Sequence, residues 1–308
     1  MQMEIYLAKT QGFCAGVSYA ISIVEKALKK YKNLIYVYHD IVHNTHVINN
    51  FKARGVIFIE HIEDVPDESI LIFSAHGVPP QVVSQAQAKN LTIIDATCPL
   101  VRKVHKESIT YSNAGYSVIL IGKRGHQEII GTAGYVKPDL LNIVETIQDM
   151  ENLSISTDKT VAYITQTTLS IDDTKEMITK LRQRFPNLIS PPSLDICYAT
   201  QNRQSAVKAL ARLVEIIIIC GSPNSSNSNR LKEIGEKEGV TSLIIDNADE
   251  LTLNHLTNKT KIGVSSGASV PQIIVDQVIK KITKAYPDTK IKFCGEAEKN
   301  VSFTLPKI

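Results

Sequence analysis

Three cysteines recur along the chain in the same setting, and that recurrence limits the possible folds more than any other feature. Cys14 lies in GFCAGV, Cys98 in DATCPLV and Cys197 in DICYATQNR, and each is expected to follow an extended segment and open a helix. They stand 84 and 99 residues apart, close to one small α/β unit each. After each cysteine an apolar run ends in a polar loop at nearly the same distance: His43 is 29 residues beyond Cys14, His126 is 28 beyond Cys98, and Ser225 is 28 beyond Cys197. A second polar loop follows at His76, Thr167 and Ser269, which lie 62, 69 and 72 residues after the respective cysteine. The spacing predicts three similar units, each offering one cysteine and two polar loops.

Between these landmarks, β-branched runs (34–38, 56–59, 71–74, 117–122, 161–165, 215–221, 242–246 and 261–266) alternate with helical spacing such as Val17–Tyr31 and Thr174–Phe185. The runs are apolar without a strict period of two, as in parallel strands covered on both faces. The expected fold class is α/β: three similar small α/β domains with mostly parallel sheets, arranged pseudo-three-fold around a central cavity. The expected domains are 14–97, 98–194 and 195–308, with 1–13 packing on the third. In open parallel sheets, ligands bind beyond the carboxyl ends of the strands. If the three units turn those ends to a common centre, the cysteines and six polar loops meet there.

Composition removes several function classes. Thirty-four Lys+Arg against thirty-one Asp+Glu give a net charge of only +3 over 308 residues, too small for nucleic-acid binding by bulk electrostatics. Trp is absent and aromatics are 6%, which weakens any base-stacking role. No run reaches the 18 or so apolar residues of a spanning helix, and the N-terminus lacks a basic segment followed by an apolar one. Five scattered cysteines cannot all pair internally, so reduced thiols and a cytoplasmic location are expected, with neither nucleic acid nor membrane as partner.

Three converging thiolates with no nearby CxxC suit a metal centre assembled by tertiary structure, and zinc and an iron–sulfur cluster both remain open. The cluster is favoured because a 4Fe–4S cube held by three cysteines leaves one iron open to a substrate oxygen. Cys220 in EIIIICG and Cys294 in KIKFCGE read instead as buried small hydrophobes.

The polar loops offer His43, His76 and His126 together with Ser225, Ser226, Asn227 and Ser269, neutral donors suited to phosphate oxygens. GSPNSSNSNRL (221–231) reads as an anion-binding turn without the lysine of a nucleotide P-loop, although Ser and Asn there also suit plain helix capping. Glu128, two residues after His126, suits the positive end of a helix dipole. In an enclosed pocket beside bound phosphate its pKa is expected to rise, making it a proton donor, with Thr167 and Thr168 as relay or orienting hydroxyls. Arg102, Lys103, His105 and Lys106 fit either a screen for an anionic site or a solvated helix face.

Nine ordered motifs then carry a resemblance: GFCAGV (12–17), HNTHV (43–47), SAHGVP (74–79), DATCPLV (95–101), GHQEIIGT (125–132), TQTTLS (165–170), DICYATQNRQ (195–204), GSPNSSNSNRL (221–231) and GASVPQ (267–272). With the C-terminal segment 300–307, they resemble the LytB family of 4-hydroxy-3-methylbut-2-enyl diphosphate reductases over essentially the whole chain. The resemblance implies three α/β domains around a 4Fe–4S cluster on Cys14, Cys98 and Cys197, with one open iron. It implies a diphosphate held by His43, His76, His126, Ser225, Ser226, Asn227 and Ser269, with Thr167 at the hydroxyl end and Glu128 as proton donor. The implied reaction is reductive dehydroxylation, the last step of the non-mevalonate isoprenoid pathway. Two electrons and two protons arrive, water leaves, and an allylic anion-like intermediate yields isopentenyl or dimethylallyl diphosphate. A ferredoxin or flavodoxin is the implied electron donor. One departure stands beside the first cysteine, where many members carry Asp-Arg and this chain carries Ser18-Tyr19.

Two rival readings follow from the residues. A non-enzymatic metal or redox sensor would use the same three thiolates but would need neither seven phosphate-suited donors nor a glutamate among them. A phosphate-binding transferase would leave the cysteines in the core.

Overall fold

The computed structural model describes residues 2–156, 158–299 and 301–308. The eight β-branched runs all become strands. Among the described residues the full set is β1 (Glu4–Ala8), β2 (Ile35–Tyr38), β3 (Val56–Ile59), β4 (Ile70–Phe73), β5 (Thr92–Asp95), β6 (Ser117–Ile121), β7 (Leu141–Val144), β8 (Val161–Thr165), β9 (Ile216–Cys220), β10 (Thr241–Ile245), β11 (Lys261–Ser266) and β12 (Lys290–Cys294). They form three sheets, and every neighbouring pair is parallel. The chain is therefore α/β, with helices between successive strands.

The chain divides into two compact units. One comprises Met1–Ser18, His43–Asn50 and Tyr198–Ser302 and holds the sheet β10-β9-β11-β1-β12. Successive side chains of a strand leave opposite faces, and both faces of this sheet are covered. Ile216, Ile218 and Cys220 enter one apolar core with Ile5, Leu7 and Ile262, while Ile217 and Ile219 enter another with Val207, Leu210 and Leu231. β12, rich in lysine and mostly exposed, closes one edge.

The other unit comprises Tyr19–Val42, Phe51–Cys197 and Phe303–Ile308 and holds two sheets, β3-β2-β4-β5 and β7-β6-β8. In the smaller sheet Ile119, Ile121, Val161 and Tyr163 pack on one side, and Val118, Leu120, Ala162 and Ile164 on the other. Tyr19, in the Ser18-Tyr19 pair noted beside the first cysteine, is buried and meets Phe303 edge-on at 6.2 Å, so an aromatic contact fills that position. Among the described residues no helix is long and apolar enough to cross a membrane.

Before Cys14 and Cys98 the expected extended segments are β1 and β5, whereas the chain before Cys197 forms only the Ala162–Ile189 bridge. β12, mostly exposed and carrying lysine, escaped the sequence reading and forms on the edge that β1 presents.

Candidate active site

Each of the three repeated cysteines immediately precedes or caps a helix: Ala15–Lys30 follows Cys14, Pro99–Asn113 follows Cys98, and Tyr198–Ala211 follows Cys197. Each also donates its backbone N–H to a loop just beyond a strand end. Cys14 N–H reaches Ala268 O at 3.0 Å, Cys98 N–H reaches Ala75 O at 3.0 Å, and Cys197 N–H reaches Thr167 O at 3.1 Å. These are the loops carrying Ser269, His76 and Thr167. The cysteine opening one repeat is thus bonded to the second polar loop of the repeat before it, and Cys14 closes the cycle with the last.

The donor set fits thiolate ligation. All three cysteines are half-buried at helix N-termini, where the dipole favours a thiolate, whereas Cys220 and Cys294 are buried in the apolar core and burial pushes the Cys220 thiol up to about 12. Burial also raises the Cys14 thiol, while the Arg203 guanidinium and the Val17 N–H, 3.4 Å from Sγ, pull it down. A bound cation adds to that pull. Among the described residues no three His, Cys, Asp or Glu are grouped to share a single metal ion.

In the first unit, Arg203 is fully buried; it donates to Gly12 O at 2.8 Å and pairs with Glu298 at 3.1 Å, fixing the GFCAGV turn. Asn227 Oδ1 accepts from Ala268 N–H at 2.9 Å, on the loop that also holds Cys14. Ser225 caps the helix Ser226–Lys237, its hydroxyl accepting from Ser228 N–H at 3.3 Å, and Ser226 is the first residue of that helix. The Ser269 hydroxyl donates to His43 O at 2.9 Å. His43, Ser225, Ser226, Asn227 and Ser269 thus belong to one unit, the last four just beyond β9 and β11 and beside Cys14's partner loop. Of the two uses foreseen for the serine-rich turn, the structure shows the capping, with Ser225 closing the start of the helix that follows β9.

In the second unit, His126 caps the helix Gln127–Ala133 through Nδ1, which accepts from Glu128 N–H at 3.1 Å, and the His76 and His126 rings meet edge-on at 5.9 Å. Glu128 is only 2% exposed. Its Oε1 accepts from Thr167 N–H at 2.6 Å and its Oε2 from the Thr167 hydroxyl at 2.9 Å. Burial nevertheless dominates and lifts its pKa to about 7. Thr168 Oγ1 accepts from Gln166 Nε2 at 2.9 Å, and Gln166 Oε1 accepts from Lys123 N–H at 3.0 Å, so the TQTTLS loop is held by its own amide side chain.

The sequence reading did not single out Arg203 or Asp195, and the solvated face it allowed for Lys103 and His105 is not what forms. Lys103 and His105, read with Arg102 and Lys106 as a screen or a solvated face, turn inward: Lys103 pairs with Asp195 at 2.8 Å and Glu107 at 3.1 Å, and His105 is buried with its pKa lowered to about 4. Arg203 and Asp195 lie within DICYATQNRQ, and the signal available was their buried charge beside a ligand-like cysteine.

A family profile described as LytB protein matches residues 5–283. The 4-hydroxy-3-methylbut-2-enyl diphosphate reductase of Aliivibrio salmonicida is 48% identical over 307 residues, covering 99% of this chain and 98% of that protein. The 4-hydroxy-3-methylbut-2-enyl diphosphate reductase 2 of Bradyrhizobium diazoefficiens is 46% identical over 304 residues, covering 99% and 98%. Among solved structures, the E-1-hydroxy-2-methyl-but-2-enyl-4-diphosphate reductase of Plasmodium falciparum superposes with a TM-score of 0.96 at 39% identity, over 99% of this chain and 96% of that one. Because the profile spans most of the chain and full-length relatives share nearly half of its residues, the chain belongs to the LytB family.

Proposed function

We propose that the chain reduces (E)-4-hydroxy-3-methylbut-2-enyl diphosphate to isopentenyl and dimethylallyl diphosphate, the last step of the non-mevalonate pathway. The carrying observation is the Glu128–Thr167 pair: a buried carboxyl with a pKa of about 7, held twice by a residue whose carbonyl takes the Cys197 N–H. LytB enzymes are iron–sulfur proteins, and we assign the ligands as Cys14, Cys98 and Cys197. When bound, a 4Fe–4S cluster on these thiolates supplies electrons singly and a Lewis-acidic open position.

The residues themselves do the rest. The C–O bond of the allylic alcohol breaks, a C–H bond forms, and two electrons and two protons are consumed as water leaves. Glu128 stores one proton near neutral pH. Protonated on Oε2, it donates to Thr167 Oγ1, which turns its own hydrogen outward towards the departing oxygen. The Thr167 N–H stays on Oε1 throughout and keeps the carboxyl aimed. His43, His76, His126, Ser225, Ser226, Asn227 and Ser269 bind the diphosphate with neutral donors, and Thr168 orients the hydroxyl end. A ferredoxin or flavodoxin delivers the electrons. A reducing cytoplasm suits the five cysteines, none of which is in a disulfide. Three separate sheets support domains at 14–97, 98–194 and 195–308, and the pairing of β1 with β11 and β12 supports 1–13 as part of the third.

The test is turnover under anaerobic conditions with a viologen reductant. Both five-carbon diphosphates should form from the allylic alcohol diphosphate. Reductant-independent transfer chemistry, or no product from protein with a full complement of iron, would refute the reading.

A further inference from the structure

One of the three cysteines is reached differently from the others. β1 runs fully beside β11 before Cys14, and β5 runs fully beside β4 before Cys98. Beside β8 the corresponding chain is reduced to a bridge between Ala162 and Ile189. Ile189 N–H donates to Val161 O at 2.8 Å and Tyr163 N–H donates to Ile189 O at 3.1 Å, after which the chain runs to Cys197 without regular strand structure. At the end of β8 a side chain takes over the ladder's role: Asp195 Oδ2 accepts the Thr165 N–H at 2.9 Å. Asp195 Oδ1 accepts from Lys103 Nζ at 2.8 Å, and Nζ also reaches Ser193 O at 3.0 Å and Glu107 at 3.1 Å. The Asp195 side chain is completely enclosed. Two residues later, Cys197 N–H donates to Thr167 O.

Residues 195–197 therefore grip residues 165–167 at two points, and the last of these holds both oxygens of Glu128. Stability alone does not favour this solution. A buried ion pair commonly does no better than apolar packing of the same volume, and a continued strand would satisfy the Thr165 N–H at no charge cost. A carboxylate does give a charge-assisted bond, roughly twice as strong as a neutral one, with a defined direction.

We propose that Asp195, anchored by Lys103, is a positioning residue: it fixes the Thr165–Thr167 segment and thereby the placement of the Glu128 carboxyl and the seat of Cys197. This rests on the reading of Glu128 as the proton donor. Misplacing a catalytic group by about 1 Å costs up to about 100-fold in rate, so the effect belongs in turnover more than in substrate affinity.

The experiment compares reconstituted wild type, Asp195→Ala, Asp195→Asn and Lys103→Gln by hydrogen exchange of the segment 161–170 and by steady-state kinetics. In D195A, exchange at the Thr165 and Thr167 amides should quicken by at least about tenfold while the five-stranded sheet keeps wild-type protection. Turnover should fall about 10- to 100-fold with KM changed less than about threefold. D195N retains an oxygen for the Thr165 N–H and should recover most of the protection, and K103Q should lie between. Unchanged exchange at 165–167, or KM rising as far as kcat falls, would overturn the proposal. If D195A does not fold, D195N and K103Q decide by the same criteria. Wild-type protein without turnover would refute the functional reading, and the exchange comparison would still decide the positioning role.

Discussion

Thr167 meets Glu128 twice, through its backbone N–H on one carboxylate oxygen at 2.6 Å and its hydroxyl on the other at 2.9 Å. Both bonds favour the ionised form, yet enclosure in a low-dielectric interior outweighs them and the group titrates near about 7. A carboxyl in that balance is available both to give and to regain a proton at neutral pH.

Glu128→Gln keeps the shape and one acceptor oxygen but removes the proton. Turnover should drop about 100-fold or more while the KM for the allylic diphosphate stays within a few-fold. In wild type, turnover should fall as pH rises through about 7, where the acid form is lost. Steady-state kinetics from pH 6 to 9 check both, and unchanged turnover in E128Q would remove Glu128 from the mechanism.

The same group makes stability depend on pH. Its pKa is raised from an ordinary 4.5 to about 7 on folding, so the folded state holds the proton over a range in which the unfolded chain has lost it. This contribution is complete below about 4.5, declines as pH rises to about 7, and is absent above. The swing is on the order of 3 kcal/mol. Urea melts of metal-free protein should show it in wild type and not in E128Q.

Arg203→Gln breaks a buried ion pair and the bond to Gly12 O beneath Cys14. Loss of one partner leaves Glu298 uncompensated, with a cost of about 3 kcal/mol in unfolding free energy. The Cys14 thiol, which Arg203 pulls down, should also react more slowly with a thiol reagent in metal-free protein.

Gly77 has φ +77°, and a Cβ there would fall 2.5 Å from His105 Cε1. The His105 ring itself stands against Tyr135, with ring centroids 4.6 Å apart. Gly77→Ala should lose about 2 kcal/mol through backbone strain alone. The displaced neighbour is His76, so KM for the diphosphate should rise more than turnover falls.

The cysteines, the polar loops and Glu128 were legible because each sits at a fixed interval from a strand or helix end, and local order carries that information. Asp195 and Lys103 were not. Lys103 follows Arg102 on a helix whose charges match a solvated face, and its partners Ser193 and Asp195 come from a segment 90 and 92 residues away. Spacing along the chain holds no trace of such a pair. The same holds for β12, in which four of the five residues are exposed and which forms because β1 presents an edge to it. The serine-rich turn lay between these cases, since capping and anion binding use the same residues and local sequence cannot separate them.

The most direct measurement is the iron and sulfide content of protein purified without oxygen, alongside Cys98→Ser. Wild type should be brown with about four irons and four sulfides per chain, as three thiolates around a 4Fe–4S cube require, and C98S should lose most of both. A colourless wild-type protein, or one carrying a single zinc ion, would contradict the cluster and the reduction built on it.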